Sequence, residues 1–210
     1  MVASPRIQKH LDRIELTEQH FESEFSFSTC EVSDCTIERQ TAERGSFSEM
    51  LFKNVVFKDV CFRGIDLTDV RYENCDLSNA DFNGAIIHRT QFVNCKIIGI
   101  NLTKATLRNV AFISCNGRYG CFRFSNMKLV VFEDSSLHST DFVDIVLSQV
   151  GFDGSALVQS QMSGTKLKGI DLRKADIDGL GVRIEDIFGA IVTPVQFVSL
   201  AKIMGVVIKD

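Results

Sequence analysis

The groups in this 210-residue sequence most capable of chemistry are seven cysteines, four histidines and a central block of lysine and arginine. Cys75, Cys95 and Cys115 recur at intervals of twenty, with Cys35 in the same phase two intervals earlier. A chain that returns on itself every twenty residues would stack these thiols into a ladder, which could seat a soft metal. The same phase continues as Ser135, Ser155 and Ala175. The favoured reading is therefore a column of small fillers in which Cys acts as a compact apolar side chain. The cysteines are odd in number and none has CxxC or Cys/His metal spacing, so they read as reduced thiols. His88 and His138 point outward on different sides, with no Ser, Cys or carboxylate in phase to make either a base. No Walker loop, G-x-S-x-G or dinucleotide fingerprint occurs. The sequence reads as non-enzymatic, with no cofactor and no metal.

The charges are unevenly placed. Between Phe47 and Ile177 there are 14 acidic and 15 basic residues, so the net charge of -4 comes from the ends. Residues 82–132 contain no Asp or Glu but seven basic residues, Arg89, Lys96, Lys104, Arg108, Arg118, Arg123 and Lys128. This positive belt is either a solvated surface or a site for an anionic partner. Arg89, Arg108, Arg118, Arg123 and Lys128, with Tyr119, are its candidate contact residues. Beyond it Glu133, Asp134, Asp141, Asp144 and Asp153 form a candidate acidic zone.

What positions these groups is a period of five. From Phe47 to Ile187 every fifth residue is bulky and apolar at 28 of 29 positions, Gly117 being the exception. Two residues before each lies a second column, and its 25 positions from Val60 to Leu180 hold only Ala, Cys, Ser, Thr, Val, Ile, Leu or Gly. Neither the 3.6 period of a helix nor the alternation of a plain strand gives this pattern, so the chain must turn once per five residues. Phe at 82, 92, 112, 122, 132, 142 and 152 alternates with non-aromatic residues, a period of ten that places rings on opposite faces of a four-sided coil. Stacked at the roughly 4.8 Å of strand spacing, they predict two Phe ladders inside a rod of about eight coils and roughly 38 Å. Gly117, within Cys115-Asn-Gly-Arg-Tyr-Gly-Cys121, predicts a distorted corner or bulge that displays Arg118 and Tyr119.

Segments such as Ala80-Asp81-Phe82-Asn83-Gly84 and Ala175-Asp176-Ile177-Asp178-Gly179 match the A(D/N)LxX pattern and resemble the pentapeptide-repeat family. The resemblance implies an all-β fold, a right-handed quadrilateral β-helix with four repeats per coil. The expected organisation is a helical cap and connector over 1–26, the solenoid over 27–191, and a capping helix and strand over 192–210. Ser4-Pro5 with Ile7, Leu11 and Ile14 on one face suggests the N-terminal helix. At the other end, Thr193-Pro194-Val195-Gln196 reads as a capping box. The following helix is apolar nearly all round, more than a plug requires. Val195, Phe197, Val198, Leu200, Ile203 and Met204, with Val206, Val207 and Ile208 of a terminal strand, are therefore candidates for a homodimer contact.

This helix-plus-strand ending is similar to that of Qnr-type and MfpA-type topoisomerase-protecting proteins. The likeness implies a homodimer that binds DNA gyrase or topoisomerase IV by partial DNA mimicry. A general interaction scaffold for another partner is the alternative. Direct nucleic-acid or anion binding by the belt ranks third, because aromatics for base stacking are nearly absent outside Tyr119. No run approaches the ~18 apolar residues of a membrane helix and no signal peptide is legible, so the expected compartment is the cytoplasm, with no membrane partner.

Overall fold

The computed structural model describes residues 2–17 and 20–201. The twenty-residue return is direct: Phe27 pairs with Phe47, Phe47 with Leu67, Leu67 with Ile87, Ile87 with Leu107, Leu107 with Met127 and Met127 with Leu147, all in parallel. Seven strands thus stack on this first side of a parallel β-solenoid of about seven turns. Beyond residue 151 the turns keep register through isolated bridges, such as Ala156 to Asp176 and Asp171 to Ile191.

Every fifth residue makes the corner. Asp34, Asn54, Asn74, Asn94 and Asp134 have φ of 48 to 55°, and Gly64, Gly84 and Gly154 have 65 to 72°. Only Gly adopts the left-handed region freely, and Asn and Asp tolerate it better than other residues, which is why the corners favour these three. The chain therefore bends where its side chains permit, and the residue two earlier is aimed into the barrel. The corner amides also bond lengthwise: Asn54 donates to Asp34 at 2.7 Å, Asn74 to Asn54 at 3.3 Å and Asn94 to Asn74 at 2.7 Å.

The inner small column has a polar task. Cys75, Cys95, Cys115 and Ser135 donate to the carbonyls of Phe52, Tyr72, Phe92 and Phe112, each twenty-three residues back. Thr140, Ser160 and Thr165 do the same for Gly117, Leu137 and Phe142. Ser, Thr and Cys recur there because they are small enough for the wall and can satisfy a buried acceptor.

Ring stacking concentrates on one side. Phe52, Tyr72, Phe92, Phe112, Phe132 and Phe152 form a continuous ladder with centroids 4.8 to 5.4 Å apart and planes within 8°. The opposite ladder is broken at Leu102, leaving Phe62 with Phe82 and Phe122 with Phe142. Phe122 meets Phe112 and Phe132 edge-on across the barrel. Tyr72 is the misfit. Its hydroxyl is buried without a protein partner, and desolvation pushes its pKa well above the ordinary value.

Both ends are closed, but not as the sequence suggested at the start. No helix forms over residues 4–14. The chain instead runs extended, and Asp12–Arg13 adds to the open edge of Cys30–Ser33 as one more parallel strand. An edge with unpaired backbone groups competes for such a segment. The plug is made by Leu16, Phe21 and Phe25, the last sitting where a side chain on Gly45 would have to go. At the far end, a short helix α1 (Ile184–Ile187) precedes α2 (Pro194–Ala201). The capping box forms as expected: Gln196 donates its amide N–H to Thr193 Oγ1 at 3.2 Å and accepts from the Thr193 N–H at 2.8 Å. The Gln196 side chain also donates to the carbonyls of Leu172 and Ala175, both at 2.8 Å, tying the helix over the barrel mouth. The expected terminal strand lies outside the described residues, as do Ile203, Met204, Val206, Val207 and Ile208.

Two substitutions test this core by urea unfolding. Phe112→Ala, which breaks the ladder in its middle, should cost about 3–5 kcal/mol. Tyr72→Phe, which keeps the ring and removes the orphaned hydroxyl, should be neutral or stabilise by about 1 kcal/mol.

Candidate interaction surfaces

The solenoid presents four flat sides, and the predicted contact residues distribute over several of them. His88, Arg108 and Lys128 are stacked neighbours on the first side, since strands Ile86–Val93, Thr106–Ile113 and Asn126–Glu133 pair in that register. With Ile86, Thr106 and Leu129 they line a shallow hollow of about 550 Å³. Burial and the neighbouring Arg89 both depress the His88 pKa. Arg108, Arg118, Lys104 and Lys128 make no ion pair with a described residue.

Arg89 differs from the rest of the belt. Its guanidinium grips Asp69 through two hydrogen bonds of 2.7 and 2.6 Å, and its side chain is only 19% exposed. It makes an ion pair between successive turns. Asp69 also accepts from the Arg6 amide at 2.9 Å. Burial alone would raise the Asp69 pKa, but the Arg89 and Arg6 hydrogen bonds outweigh it and leave the carboxyl below its usual value.

The expected bulge at Gly117 is absent. Asn116 bridges Lys96 and Ser136, Cys121 bridges Asn101 and Asp141, and the Gly117 amide donates to Ser136 at 2.7 Å as in any other turn. The gap left by Gly117 is filled from above and below, because a Cβ there would already touch Leu137 and Ile97. Neighbouring turns supply the volume that this one lacks. Arg118 and Tyr119 are nevertheless displayed. Arg118 lies 5.8 Å over the Tyr119 ring, and Tyr119 is 59% exposed.

Phe124 carries no signal in the five-residue period, which marks only aromatics in phase. It occupies the next corner, out of phase, 53% exposed, with Arg123 5.9 Å over its ring. Both rings sit on left-handed backbone, with φ of 60° at Tyr119 and 59° at Phe124. A bulky residue there costs on the order of 1–2 kcal/mol, which burial does not offset for these two. Arg123 is partly occupied by Asp141 at 3.2 Å.

In the acidic zone Glu133, Asp134, Asp144 and Asp153 are exposed, and Asp153 reaches Lys174 at 3.6 Å. Of the described dimer candidates, Val195, Phe197 and Val198 are exposed while Leu200 is buried against the barrel. Phe188 and Ile184 of the preceding segment add to the same exposed apolar end.

These features can be set beside known proteins. Residues 65–142 match the family described as pentapeptide repeat region. The chain carries a pentapeptide-repeat region. The same register of pairs and corners continues on both sides of it, from Ser26 to Ile191. A protein of Bacillus subtilis, the uncharacterized protein YisX, is 44% identical over 66 residues, 31% of this chain and 31% of its own length. HetL, a pentapeptide repeat protein involved in heterocyst differentiation regulation in Nostoc sp. Strain PCC 7120, is 18% identical over 82% of this chain and 86% of its own, with a TM-score of 0.46. Full-length QnrB1, a plasmid-mediated fluoroquinolone resistance protein, is 15% identical over 86% of this chain and all of its own, with a TM-score of 0.34.

The pentapeptide repeat also explains the cysteines. The neighbouring thiol of the next rung, together with burial, pushes the Cys75 pKa far up and that of Cys95 to about 12. Cys75, Cys95 and Cys115 are buried, whereas Cys30, Cys35, Cys61 and Cys121 are half-buried. Native-state alkylation read by mass spectrometry should modify the latter four and spare the former three until the protein unfolds; early labelling of Cys95 would contradict the ladder. The helices described are too short to cross a membrane.

Asp69 gives a pH dependence with a fixed sign. Its folded pKa lies below the unfolded value of about 4, so its contribution is complete above that pH and is lost as pH falls through the lower folded value. Urea unfolding followed from pH 7 to 3 should show this loss in the wild type and a shallower pH slope in Asp69→Asn. Equal slopes would refute the assignment.

Proposed function

We propose that this chain is a non-enzymatic binding protein whose rod docks on a type II topoisomerase, DNA gyrase or topoisomerase IV, and shields it from quinolones. The observation that carries the reading is the order of features toward the C-terminal end, acidic turns followed by an exposed apolar helix. Exposed Val195, Phe197 and Val198 suit a two-fold contact between copies, and Glu133, Asp134, Asp144 and Asp153 lie in the turns leading to it. A dimer joined there would carry an acidic stretch on either side of its centre, with the basic belts further out. Mimicry would then be confined to the central part of the double rod, since the belt opposes it elsewhere.

Tyr119 and Phe124 favour a second reading, a contact with an anionic partner at the belt. Two exposed rings held on strained backbone, each under an arginine, match the Tyr and Arg enrichment of binding hot spots.

A supercoiling assay separates the two. Purified protein in excess should restore gyrase supercoiling in the presence of a quinolone, and Phe197→Glu should abolish the effect by breaking the dimer. No rescue at large excess over gyrase would exclude the topoisomerase reading. Rescue lost on Tyr119→Ala but kept in Phe197→Glu would move the contact to the belt.

A further inference from the structure

Residues 2–8 do more than trail from the plug. They lie extended along the corner between the first two sides and climb it turn by turn. Gln8 reaches Glu49 at 3.2 Å, the Arg6 amide donates to Asp69 at 2.9 Å, Gln91 donates to Ser4 at 3.4 Å, and the Ala3 amide donates to Asn109 at 3.4 Å. The partners advance by about twenty residues at each step, so one strand of chain crosses four turns. An extended chain rises about 3.3 Å per residue and a coil about 4.8 Å, so roughly two arm residues fit each turn at a tilt.

The seat is built to receive a backbone. Asp69 is 6% exposed and held by Arg89, with its carboxylate toward the Arg6 amide. Asn109 offers a second acceptor two turns on. At its upper end the groove opens beside Val2 into a hollow of about 420 Å³, lined by Ala111, Ile113, Leu129 and Val131 and by the polar Glu133 and Gln149. Leu129 is a left-handed corner residue, φ 56°, where the neighbouring turns place Asn109 and Gln149. The arm itself is weakly anchored: Ala3, Ser4, Arg6 and Gln8 are exposed, and Val2 and Ile7 are only half-buried.

We propose that this corner groove is an exchangeable docking site for an extended segment of a partner protein, occupied in the free protein by the chain's own residues 2–8. The arm defines the occupant: an extended segment with a branched apolar residue at its leading end, a small residue over Asn109 and a backbone N–H opposite Asp69. Backbone recognition with an apolar pocket at one end is the general logic of strand-like peptide binding. The covalently attached arm competes at an effective concentration in the millimolar range, so the site is masked rather than absent. The inference does not rest on the topoisomerase reading, because it is argued from the contacts of the arm alone.

Arg6→Pro in the full chain removes the N–H that Asp69 accepts and leaves the groove intact. Hydrogen exchange should then show loss of protection at the Ala3 amide. A peptide of residues 2–9, labelled at its C-terminus, should bind Arg6→Pro at least tenfold more tightly than wild type in fluorescence anisotropy. The same peptide with proline in place of its arginine should bind at least tenfold more weakly, a comparison that needs no further change in the protein. Unchanged Ala3 protection, no saturable binding to Arg6→Pro, or equal binding of the two peptides overturns the proposal. A wild-type dimer that free peptide dissociates would assign the groove to a second copy's arm and overturn the partner assignment.

Discussion

The structure depends on a single constraint, the left-handed corner at every fifth residue. It turns the chain by a quarter of a coil, and four such corners bring residue i over residue i+20 in parallel. Ring stacking, the lengthwise amide ladder and the hydroxyl-to-carbonyl bonds all follow from that return. Each links a turn only to those directly above and below it. Stability in such a rod is the sum of near-neighbour terms, so its ends must be closed separately. Leu16, Phe21 and Phe25 close one, and Gln196 with α2 closes the other.

The same rule explains what could be read from the sequence. The apolar position and the small position two before it are buried and repeat strictly, so their phase alone located the barrel wall, the coil length and the stacked cysteines. Corner and outward positions are free of that demand. Phe124 was invisible because it is aromatic out of phase, and Arg89 looked like the rest of the belt because its partner Asp69 is one coil away rather than nearby in sequence. Gly117 misled for the converse reason. One empty place in a turn predicts a defect only if neighbours cannot lean in, and Ile97 and Leu137 do.

The N-terminal segment shows where local pattern loses to tertiary context. Ile7, Leu11 and Ile14 have helical spacing, yet a short isolated helix is marginal and an open sheet edge offers hydrogen bonds at once. The chain takes the edge at Asp12–Arg13 and the corner groove before it. The C-terminal capping box survived because its bonds are made within four residues and need no distant partner.

The arm's grip also constrains how this rod can change length over evolutionary time. Inserting or deleting one five-residue repeat between Glu49 and Asn109 would rotate everything beyond it by a quarter-turn, moving later contact residues to another side. Glu49, Asp69, Gln91 and Asn109 could then no longer face one straight segment. Only whole coils of twenty can be gained or lost there without breaking the line, and the arm would have to lengthen by about two residues for each. Descendants that keep the arm should therefore vary in steps of a full coil in this stretch, while the turns beyond it remain free to vary in smaller ones.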